Sequence, residues 1–377
     1  MAPLIRVIGS LNVDMVSITP RFPDAGETIT ASSYFMSAGG KGANQAVASG
    51  RTSRTQSSST ASPIKVEMVG AVGALDGHFD ALLKPTLEKS GVDASRVQII
   101  PDAYTGVAVI VVDSGAGGEN RILFSPGANY QGMQAKSEVL ELGLKTPVPD
   151  VIVMQGEIPV ETTIGTLREI GAFKERNRAA GKRGIETGPD VIFNPAPAPP
   201  GGLPEDAYAA VDHFIMNETE ADSMTPPMEQ LIKAVPDAES LDKREKVARY
   251  FHQLGVTYVI ITLGSKGSWY SAVDARTSPP ADGVNRFTAE IPADKVSKVL
   301  DTTAAGDTYV GAYAVDIAQW RESRRTAGKA GQGVTADEKP ERYQNVTERA
   351  MRLATRAGAR CVERQGAMDS IPWGDEL

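Results

Sequence analysis

Short apolar runs that end in glycine or polar residues recur along the chain, and stretches with helical spacing separate several of them. The first run is Leu4 to Ile8, which leads into Gly9-Ser10. An apolar run of this length without alternation is typical of a strand buried on both faces. Strands that alternate with helices predict a mostly parallel, doubly wound α/β sheet with helices on both sides. The further predicted strands are 66–69, 107–112, 151–154, 191–193, 214–216 and 258–263, and the predicted helices are 79–90, 162–180 and 244–254.

One part of the pattern departs from this alternation. Residues 27–30, 34–37 and 105–112 have strand character without helices between them, which predicts a small antiparallel sheet beside the main one. We expect this sheet to form a lid built from about residues 13–38 and 103–125.

Two other stretches have the composition of loops. Residues 51–62 are rich in Ser, Thr and Arg, and residues 325–341 are rich in Gly, Lys and Ala. Neither stretch has enough apolar residues to bury much surface, so both are predicted to be surface insertions. The remaining pattern is continuous, and we expect residues 1–377 to form a single domain.

Charge and cysteine content limit the classes of partner. The formal net charge of −8 argues against nucleic acid or an anionic membrane as a partner held through a basic surface. Cys361 is the only cysteine, which excludes an internal disulfide and fits a reducing compartment. The first residues lack the pattern of a secretory signal, and no apolar run reaches the ~20 residues needed to span a bilayer. These features predict a cytoplasmic protein, with the nucleus left open as a further compartment.

The segment 301–308 reads Asp-Thr-Thr-Ala-Ala-Gly-Asp-Thr and precedes an apolar pattern with helical period. Small residues at Ala304, Ala305 and Gly306 let the backbone approach a ligand, and amide N–H groups at a helix start attract an anion. Asp307 would lie in the first turn, where a carboxylate can accept a proton from a hydroxyl group. This arrangement predicts phosphoryl transfer from a bound nucleotide. The alternative is a helix start at which Asp307 only complements the helix dipole.

A second glycine-rich segment, 39–46, reads Gly-Gly-Lys-Gly-Ala-Asn-Gln-Ala. Its glycines permit close approach of the backbone to a polyhydroxylated ligand. The segment lacks the first glycine and the final Ser or Thr of a Walker A loop, since those positions hold Phe35 and Gly42. No G-x-G-x-x-G turn follows a predicted strand, so a nicotinamide enzyme has little support.

Taken together, these segments resemble the ribokinase group of the PfkB carbohydrate kinase family. The resemblance also rests on the segments 9–14, 194–198, 217–220 and 262–267, which occur in the order that the family shows. It implies ATP-dependent phosphorylation of D-ribose at the 5-hydroxyl group, with Asp307 as the catalytic base and the 304–306 backbone as an anion hole. The resemblance also implies a homodimer that forms through the lid.

The resemblance further assigns residues to a sugar site and a nucleotide site. Glu157 is a sugar contact or, alternatively, a solvated carboxylate at a strand end. Asn217 is a phosphate contact or, alternatively, a helix cap, and Glu220 organises Mg²⁺ through water. The other sugar contacts are Asn12, Val13, Asp14, Gly40, Lys41, Gly42, Ala43, Asn44 and Asp307, and the other ATP contacts are Thr262, Leu263, Gly264, Ser265, Lys266, Gly267 and Gly306.

A monovalent cation, K⁺, is implied beside the anion hole. The matching residues would act mostly through backbone carbonyl oxygens, and they are Asp301, Thr303, Cys361, Arg364, Gly366 and Ser370. Residues 365–369 depart somewhat from the family pattern.

Two other functions stay open at this point. The first is a kinase for another furanose, such as 2-deoxyribose, fructose or a nucleoside. The second is a sugar-binding protein that has lost the chemistry, although Asp307 and its small-residue loop are present in the sequence.

Overall fold

The computed structural model describes residues 2–58, 64–116, 119–235, 237–274 and 286–377. Within these residues, nine strands form a large sheet in the order β5-β4-β1-β8-β9-β10-β11-β12-β13. All neighbouring pairs are parallel except β11–β12 and β12–β13, which are antiparallel. The strands are β1 (Leu4–Ile8), β4 (Lys65–Gly73), β5 (Val92–Ile100), β8 (Val151–Met154), β9 (Asp190–Phe193), β10 (His213–Asn217), β11 (Tyr258–Thr262), β12 (Ser268–Ala272) and β13 (Phe287–Ile291).

Helices cover both faces of the large sheet. Ile5 and Val7 of β1 point into one apolar core, and Ile8 points into the other. This division explains the unbroken apolar runs, because each buried strand must satisfy two cores. The helices are α1 (Lys41–Thr52), α2 (Lys84–Lys89), α3 (Ala128–Gly132), α4 (Ser137–Leu140), α5 (Val160–Ala179), α6 (Glu205–Tyr208), α7 (Glu218–Met224), α8 (Met228–Ala234), α9 (Lys243–Gln253), α10 (Ala305–Thr326) and α11 (Thr347–Val362).

A second, four-stranded sheet has the order β3-β2-β6-β7. Its strands are β2 (Asn12–Thr19), β3 (Ser33–Gly39), β6 (Gly106–Asp113) and β7 (Glu119–Ser125). The doubly wound sheet and the smaller sheet predicted from the sequence are therefore both present.

Two details of the predicted lid are wrong. Residues 27–30 are not a strand: Glu27 accepts hydrogen bonds from Arg21 and from the Asp24 backbone in an exposed turn. The sheet is also not purely antiparallel, because β2 and β6 run parallel. The long segment between these strands carries β4 and β5 of the large sheet, so the chain returns to the lid in the same direction.

The predicted start of the first insertion is also wrong. Arg51 and Thr52 belong to the end of α1 and are buried. Arg51 donates hydrogen bonds to the carbonyl oxygens of Met368 (2.6 Å) and Ile371 (3.0 Å), which ties α1 to the C-terminal segment. Residues 59–62 of this predicted insertion lie outside the described residues. The segment 325–341 is mostly exposed, although Arg324 and Glu338 hold it by an ion pair of 3.0 Å.

Candidate active site

Polar residues follow five adjacent strands of the large sheet at their carboxyl ends. β1 has β4 on one side and β8 on the other, so the order of the strands reverses there. Ligands of doubly wound folds bind at such a reversal. Asn12, Glu157 and Asn194 come after β1, β8 and β9, respectively. Asn217 is the last residue of β10, and Thr262 is the last residue of β11.

Asp307 lies in the first turn of α10, as predicted, and is 6% exposed. Ala304 precedes the helix with φ of 59°, a left-handed conformation that costs a residue other than glycine roughly 1–2 kcal/mol. Gly306 is exposed, and a Cβ atom added there would meet nothing within 4 Å. The Ala305 N–H donates to Thr302 O at a long 3.3 Å, while no backbone acceptor in the described residues takes the N–H groups of Gly306 and Asp307, so this helix end can bind an anion.

Two side-chain amides of α1 hold the Asp307 carboxylate. Asn44 Nδ2 donates to Oδ2 at 3.0 Å, and Gln45 Nε2 donates to Oδ1 at 2.9 Å. The helices approach closely because Gly311 of α10 packs against Ala48 and the α1 backbone, where any Cβ atom would overlap. The two predicted motifs, 39–46 and 301–308, therefore meet at a single carboxylate.

The glycines of segment 39–46 are required by contacts within the protein. A Cβ atom at Gly39 would overlap the Asp14 carboxylate, and one at Gly42 would overlap the backbone of Gly9 and Ser10. Gly40 has φ of 91° and packs on the loop after β1, while the Ala43 N–H donates to Ser10 O at 2.9 Å. The glycines thus bring β2 and α1 together and shape the site before any ligand binds.

Glu157 links three parts of this site. Its Oε2 atom accepts hydrogen bonds from Ser10 Oγ (2.6 Å) and from the Lys41 N–H (3.0 Å), and Asn12 Nδ2 lies 3.4 Å away. Asn129, which the sequence did not single out, donates to Asn12 Oδ1 at 2.7 Å. Glu157 is therefore not a freely solvated strand-end carboxylate.

Three carboxylates and one lysine share the space between the lid and α10. Burial, and then the negative charges of Glu157 and Asp307, raise the pKa of Asp14 to about 7. The Asp307 charge most strongly raises the pKa of Lys41, against the opposing effect of burial. The site is therefore acidic around a single ammonium group, and it suits a neutral ligand rich in hydroxyl groups.

Farther along the same edge of the sheet, Asn217 and Glu220 form a capping box at the start of α7. Asn217 Oδ1 accepts from the Glu220 N–H at 2.8 Å, and Glu220 Oε2 accepts from the Asn217 N–H at 2.9 Å. The capping alternative for Asn217 is thus observed. Glu220 keeps Oε1 without a protein donor in the described part of the chain. Desolvation raises the pKa of Glu220, although the hydrogen bond from Asn217 opposes this shift.

The segment 262–267 forms a tight turn next to this capping box, since Thr262 pairs with Asn217 in the sheet register. Gly267 has φ of 99° and lies against the backbone at Ile291, whereas Gly264 has φ of 57° and faces open space. Of the two glycines, only Gly264 leaves room for a ligand. Leu263 N–H donates to Gly267 O at 2.8 Å and closes the turn.

The segments predicted to hold a monovalent cation lie side by side. Asp301 Oδ1 accepts from the N–H (2.9 Å) and Oγ1 (2.6 Å) of Thr303, and Asp301 Oδ2 accepts from the Gly366 N–H (3.0 Å). Desolvation would raise the pKa of Asp301, but these hydrogen bonds outweigh it and hold the pKa below its usual value. Cys361 Sγ lies 3.0 Å from Ser370 Oγ, while the Arg364 side chain points away and pairs with Glu376.

Sequence reasoning included Asn44 in the site but gave no role to the other amides near Asp307, which are Gln45, Gln155 and Asn194. Gln45 and Gln155 are fully buried, and Asn194 is 8% exposed. The available signal was a polar residue in a mostly apolar context: Gln155 directly follows the buried strand β8, and Gln45 lies among the small and apolar residues that predominate in this part of α1. Asn129 had no comparable signal, because it follows a Pro-Gly turn typical of any loop.

Neither a transmembrane helix nor a protein metal cage is seen in the described ranges. None of the described helices is both long and apolar enough to cross a bilayer. Likewise, no group of three or more His, Cys, Asp or Glu side chains in these ranges is arranged to hold a metal ion.

Comparison with known proteins agrees with this geometry. The family model for pfkB family carbohydrate kinases matches residues 2–374. The ribokinase of Schizosaccharomyces pombe is 33% identical over 371 residues, covering 98% of this chain and 94% of that protein. A deoxyribokinase of Salmonella typhi is 31% identical over 313 residues, covering 82% and 84% of the two chains. The structure of Arabidopsis thaliana ribokinase complexed with ribose and ATP has a TM-score of 0.71 at 26% identity, covering 100% of this chain and 97% of that one. The chain is a member of the pfkB family of carbohydrate kinases.

Proposed function

We propose that this chain transfers the γ-phosphate of ATP to the 5-hydroxyl group of D-ribose. The observation that carries the proposal is Asp307, a buried carboxylate held by two amides beside the open N-terminus of α10. A base and an anion-binding helix end in one place are the two elements that phosphoryl transfer needs from a protein. The ribokinases among the relatives act on the same sugar.

In this mechanism, Asp307 accepts the proton of the attacking hydroxyl group as its oxygen bonds to the γ-phosphorus atom. The bond from phosphorus to the bridging oxygen breaks, and ADP leaves. The N–H groups of Ala304, Ala305 and Gly306 stabilise charge on the transferred group. Lys41, between Asp307 and Glu157, balances the negative charge of the site.

The sugar lies between the lid and the end of β8 in this proposal. Asp14 accepts hydrogen bonds from two adjacent hydroxyl groups, and Glu157 has Oε1 as a further acceptor because its protein contacts use Oε2. Asn12 contributes less directly, since Asn129 already occupies its Oδ1 atom. Gly40 to Asn44 close the opposite side.

Mg²⁺ fits the nucleotide side as an ion held mainly by phosphates and water. Glu220 Oε1 and Asn217 Oδ1 are hard oxygen donors there, which is the donor chemistry that Mg²⁺ takes. When bound, the ion neutralises phosphate charge. Glu220 would orient its water ligands, and the turn at 262–267 would lie under the nucleotide.

K⁺ fits the junction of the 301–303 and 361–370 segments. The donors there are the Asp301 carboxylate, the Ser370 hydroxyl group and backbone carbonyl oxygens, which are hard ligands suited to a large monovalent cation. The Leu300 N–H donates to Val362 O at 2.8 Å, so the two segments are joined directly next to α10. A cation here would stabilise the loop that presents the anion-binding N–H groups.

The second candidate is a deoxyribokinase, which the Salmonella relative favours. The two activities differ by one hydroxyl group of the sugar. A site that hydrogen-bonds a hydroxyl group rejects the analogue without it, since its own polar groups would then stay unpaired. The acidic cluster of Asp14, Glu157 and Asp307 favours the more hydroxylated sugar.

Initial rates of ADP release test the proposal, with ribose, 2-deoxyribose, fructose and adenosine as acceptors, each with and without K⁺. We expect the highest kcat/KM with ribose and a higher rate when K⁺ is present. A higher kcat/KM with 2-deoxyribose would identify 2-deoxyribose as the preferred substrate and leave the proposed mechanism unchanged. No turnover with any acceptor by folded protein that binds ATP would favour a binding protein.

The pH dependence of sugar binding follows from Asp14. Its pKa is raised to about 7, and only the ionised carboxylate accepts two hydroxyl protons. We expect kcat/KM for ribose to be constant above this pH and to fall about tenfold per unit well below it. Profiles of wild type and Asp14→Asn measured from pH 5 to 9 check this. If kcat/KM of the Asp14→Asn variant still falls below about pH 7, the titrating group is not Asp14.

We further propose a homodimer formed through the lid, in a cytoplasmic protein. Exposed apolar side chains line both edge strands of the lid, and they are Tyr34, Phe35, Met36, Ile122, Leu123 and Phe124. A group of exposed apolar side chains of this kind is typical of an interface. Sedimentation velocity should show a dimer that Leu123→Glu dissociates and that the control Val299→Glu, at another exposed apolar side chain, does not. A wild-type monomer at micromolar concentration would contradict this.

A further inference from the structure

Gln45 is the centre of a buried cluster of three amides next to Asp307. Its side chain is fully buried in α1. Its Nε2 atom lies 2.9 Å from Asp307 Oδ1 and 3.1 Å from Asn194 Oδ1, and its Oε1 atom lies 2.7 Å from Gln155 Nε2. Both N–H hydrogens of the Gln45 amide and one lone pair of its carbonyl oxygen are therefore engaged in hydrogen bonds within the protein.

A backbone carbonyl group fixes the orientation of these amides. Asn194 Nδ2 donates to Ile215 O at 2.9 Å, and a carbonyl oxygen can only accept. The Oδ1 atom of Asn194 must then face Gln45, and the Gln45 amide must donate one of its N–H groups to that oxygen. The reverse orientation would place the Gln45 carbonyl oxygen against two acceptors. In the observed orientation, the second N–H hydrogen of the Gln45 amide points at Asp307.

The buried amide cluster lowers the stability of the fold, so the need to fill space does not explain why amides occupy these positions. Gln155 Oε1 and Asn44 Oδ1 are buried without a hydrogen-bond partner in the described ranges of the chain. Gly9 leaves room for the Gln155 oxygen, since a Cβ atom at that position would overlap it. A buried acceptor without a donor lowers stability, and apolar residues of similar volume would fill the same space without this loss.

The two helices that carry the contact are held at a fixed separation. Gly311 packs against α1, and one turn beyond Gln45, Ser49 Oγ lies 3.2 Å from Gly311 O. The Gln45 side chain therefore has little freedom to follow Asp307 if that carboxylate rotates.

We propose that Gln45 is the positioning residue for the catalytic base. It acts through Asp307, whose Oδ1 it holds while Asn44 holds Oδ2, and so directs the remaining lone pairs of the carboxylate toward the attacking hydroxyl group. The inference rests on the proposed function, because it concerns the same base. Its signature is a loss in kcat with little change in the KM values for sugar and ATP, since Gln45 touches neither.

Gln45→Met is the first test, because methionine keeps the volume and removes the donor. Loss of one hydrogen bond to a charged group predicts a kcat lower by roughly ten- to a hundredfold, with both KM values within about threefold of wild type. Ser49→Ala is the matched control: it removes a buried hydroxyl group whose hydrogen lies between Gln45 O (2.9 Å) and Gly311 O (3.2 Å) at the same pair of helices, without touching Asp307. A kcat within twofold of wild type in Gln45→Met, or an equal loss in Ser49→Ala, would overturn the proposal.

Gln45→Glu keeps the shape of the side chain and gives a second readout. The introduced carboxyl group can donate to Asp307 only when it is protonated, and two ionised carboxylates at this distance repel each other. The ratio of variant to wild-type kcat should therefore fall by at least tenfold as the pH rises from 5 to 8. A ratio that does not change with pH would show that Gln45 only fills space.

These results are distinguishable from failure of the proposed function. If wild-type protein phosphorylates no sugar, the proposed function fails first and no ratio is defined. If wild type turns over ribose and Gln45→Met does so equally well, only the positioning role fails.

Discussion

Asp307→Asn is expected to lower kcat by roughly a thousand- to ten-thousandfold, the upper part of the range for loss of a general base. The amide has the size of the carboxylate but cannot take the proton of the attacking hydroxyl group. KM for ribose and for ATP should change by less than about fivefold, because the open N-terminus of α10 and the sugar contacts on the lid remain.

Asp316→Asn is the control for this prediction. Asp316 lies on the same helix, is 3% exposed and pairs with Arg349, so its replacement tests the structural cost of neutralising a buried carboxylate in α10. We expect its kcat to stay within twofold of wild type. Retention of more than about a tenth of the activity in Asp307→Asn would remove Asp307 as the base.

The second large effect is expected from Asp14→Ala, which should raise KM for ribose by at least about a hundredfold while kcat falls much less. Two hydrogen bonds from sugar hydroxyl groups to a charged acceptor are lost, each with an expected contribution of about 1.5–3 kcal/mol. Asp113→Ala on the same lid is the control, because Asp113 is also buried and, within the described part of the chain, accepts hydrogen bonds only from the N–H groups of residues 115 and 116. An unchanged KM for ribose in Asp14→Ala would place the sugar elsewhere.

Asp14 has opposite effects on folding and on sugar binding, so the two can be measured separately. The pKa of Asp14 rises from 3.8 in the unfolded chain to about 7 in the folded one. Between these values the folded protein binds more protons, so Asp14 makes folding progressively less favourable as the pH rises from about 4 to 7. Asp14→Asn should therefore stabilise the free protein most above pH 7, as measured by thermal unfolding, even though it weakens sugar binding.

The position of the site could be predicted because it depends on local patterns. Apolar runs predicted β1, β4, β8, β9, β10 and β11 of the large sheet but missed β5, β12 and β13. Glycine-rich or small-residue segments marked the start of α1 and α10. The usual right-handedness of strand–helix–strand units then limits the face on which each connecting helix lies, whereas the strand order itself comes from the structure. Two details failed. At 27–30 a local turn held by Arg21 and Glu27 replaces the predicted strand, and at Arg51 long-range hydrogen bonds to the C-terminal segment override composition.

The interior of the site could not be predicted in the same way. The orientation of Gln45 depends on the carbonyl group of Ile215, which is 170 positions away in the chain and has no side-chain signal. The glycines of 39–46 were interpreted as ligand contacts, but several are required because Asp14 and the loop after β1 pack on them. Residue types indicated a polar site, while the partners of each amide depend on packing between distant segments.

The most direct test of the proposed activity is the identity of the product. Purified protein is incubated with D-ribose, ATP, Mg²⁺ and K⁺, and the product is examined by phosphorus–carbon coupling in its NMR spectrum. The proposed activity predicts a phosphate ester on the oxygen of carbon 5 together with an equal amount of ADP. An ester on another carbon, or ADP released with inorganic phosphate and no sugar ester, would contradict it.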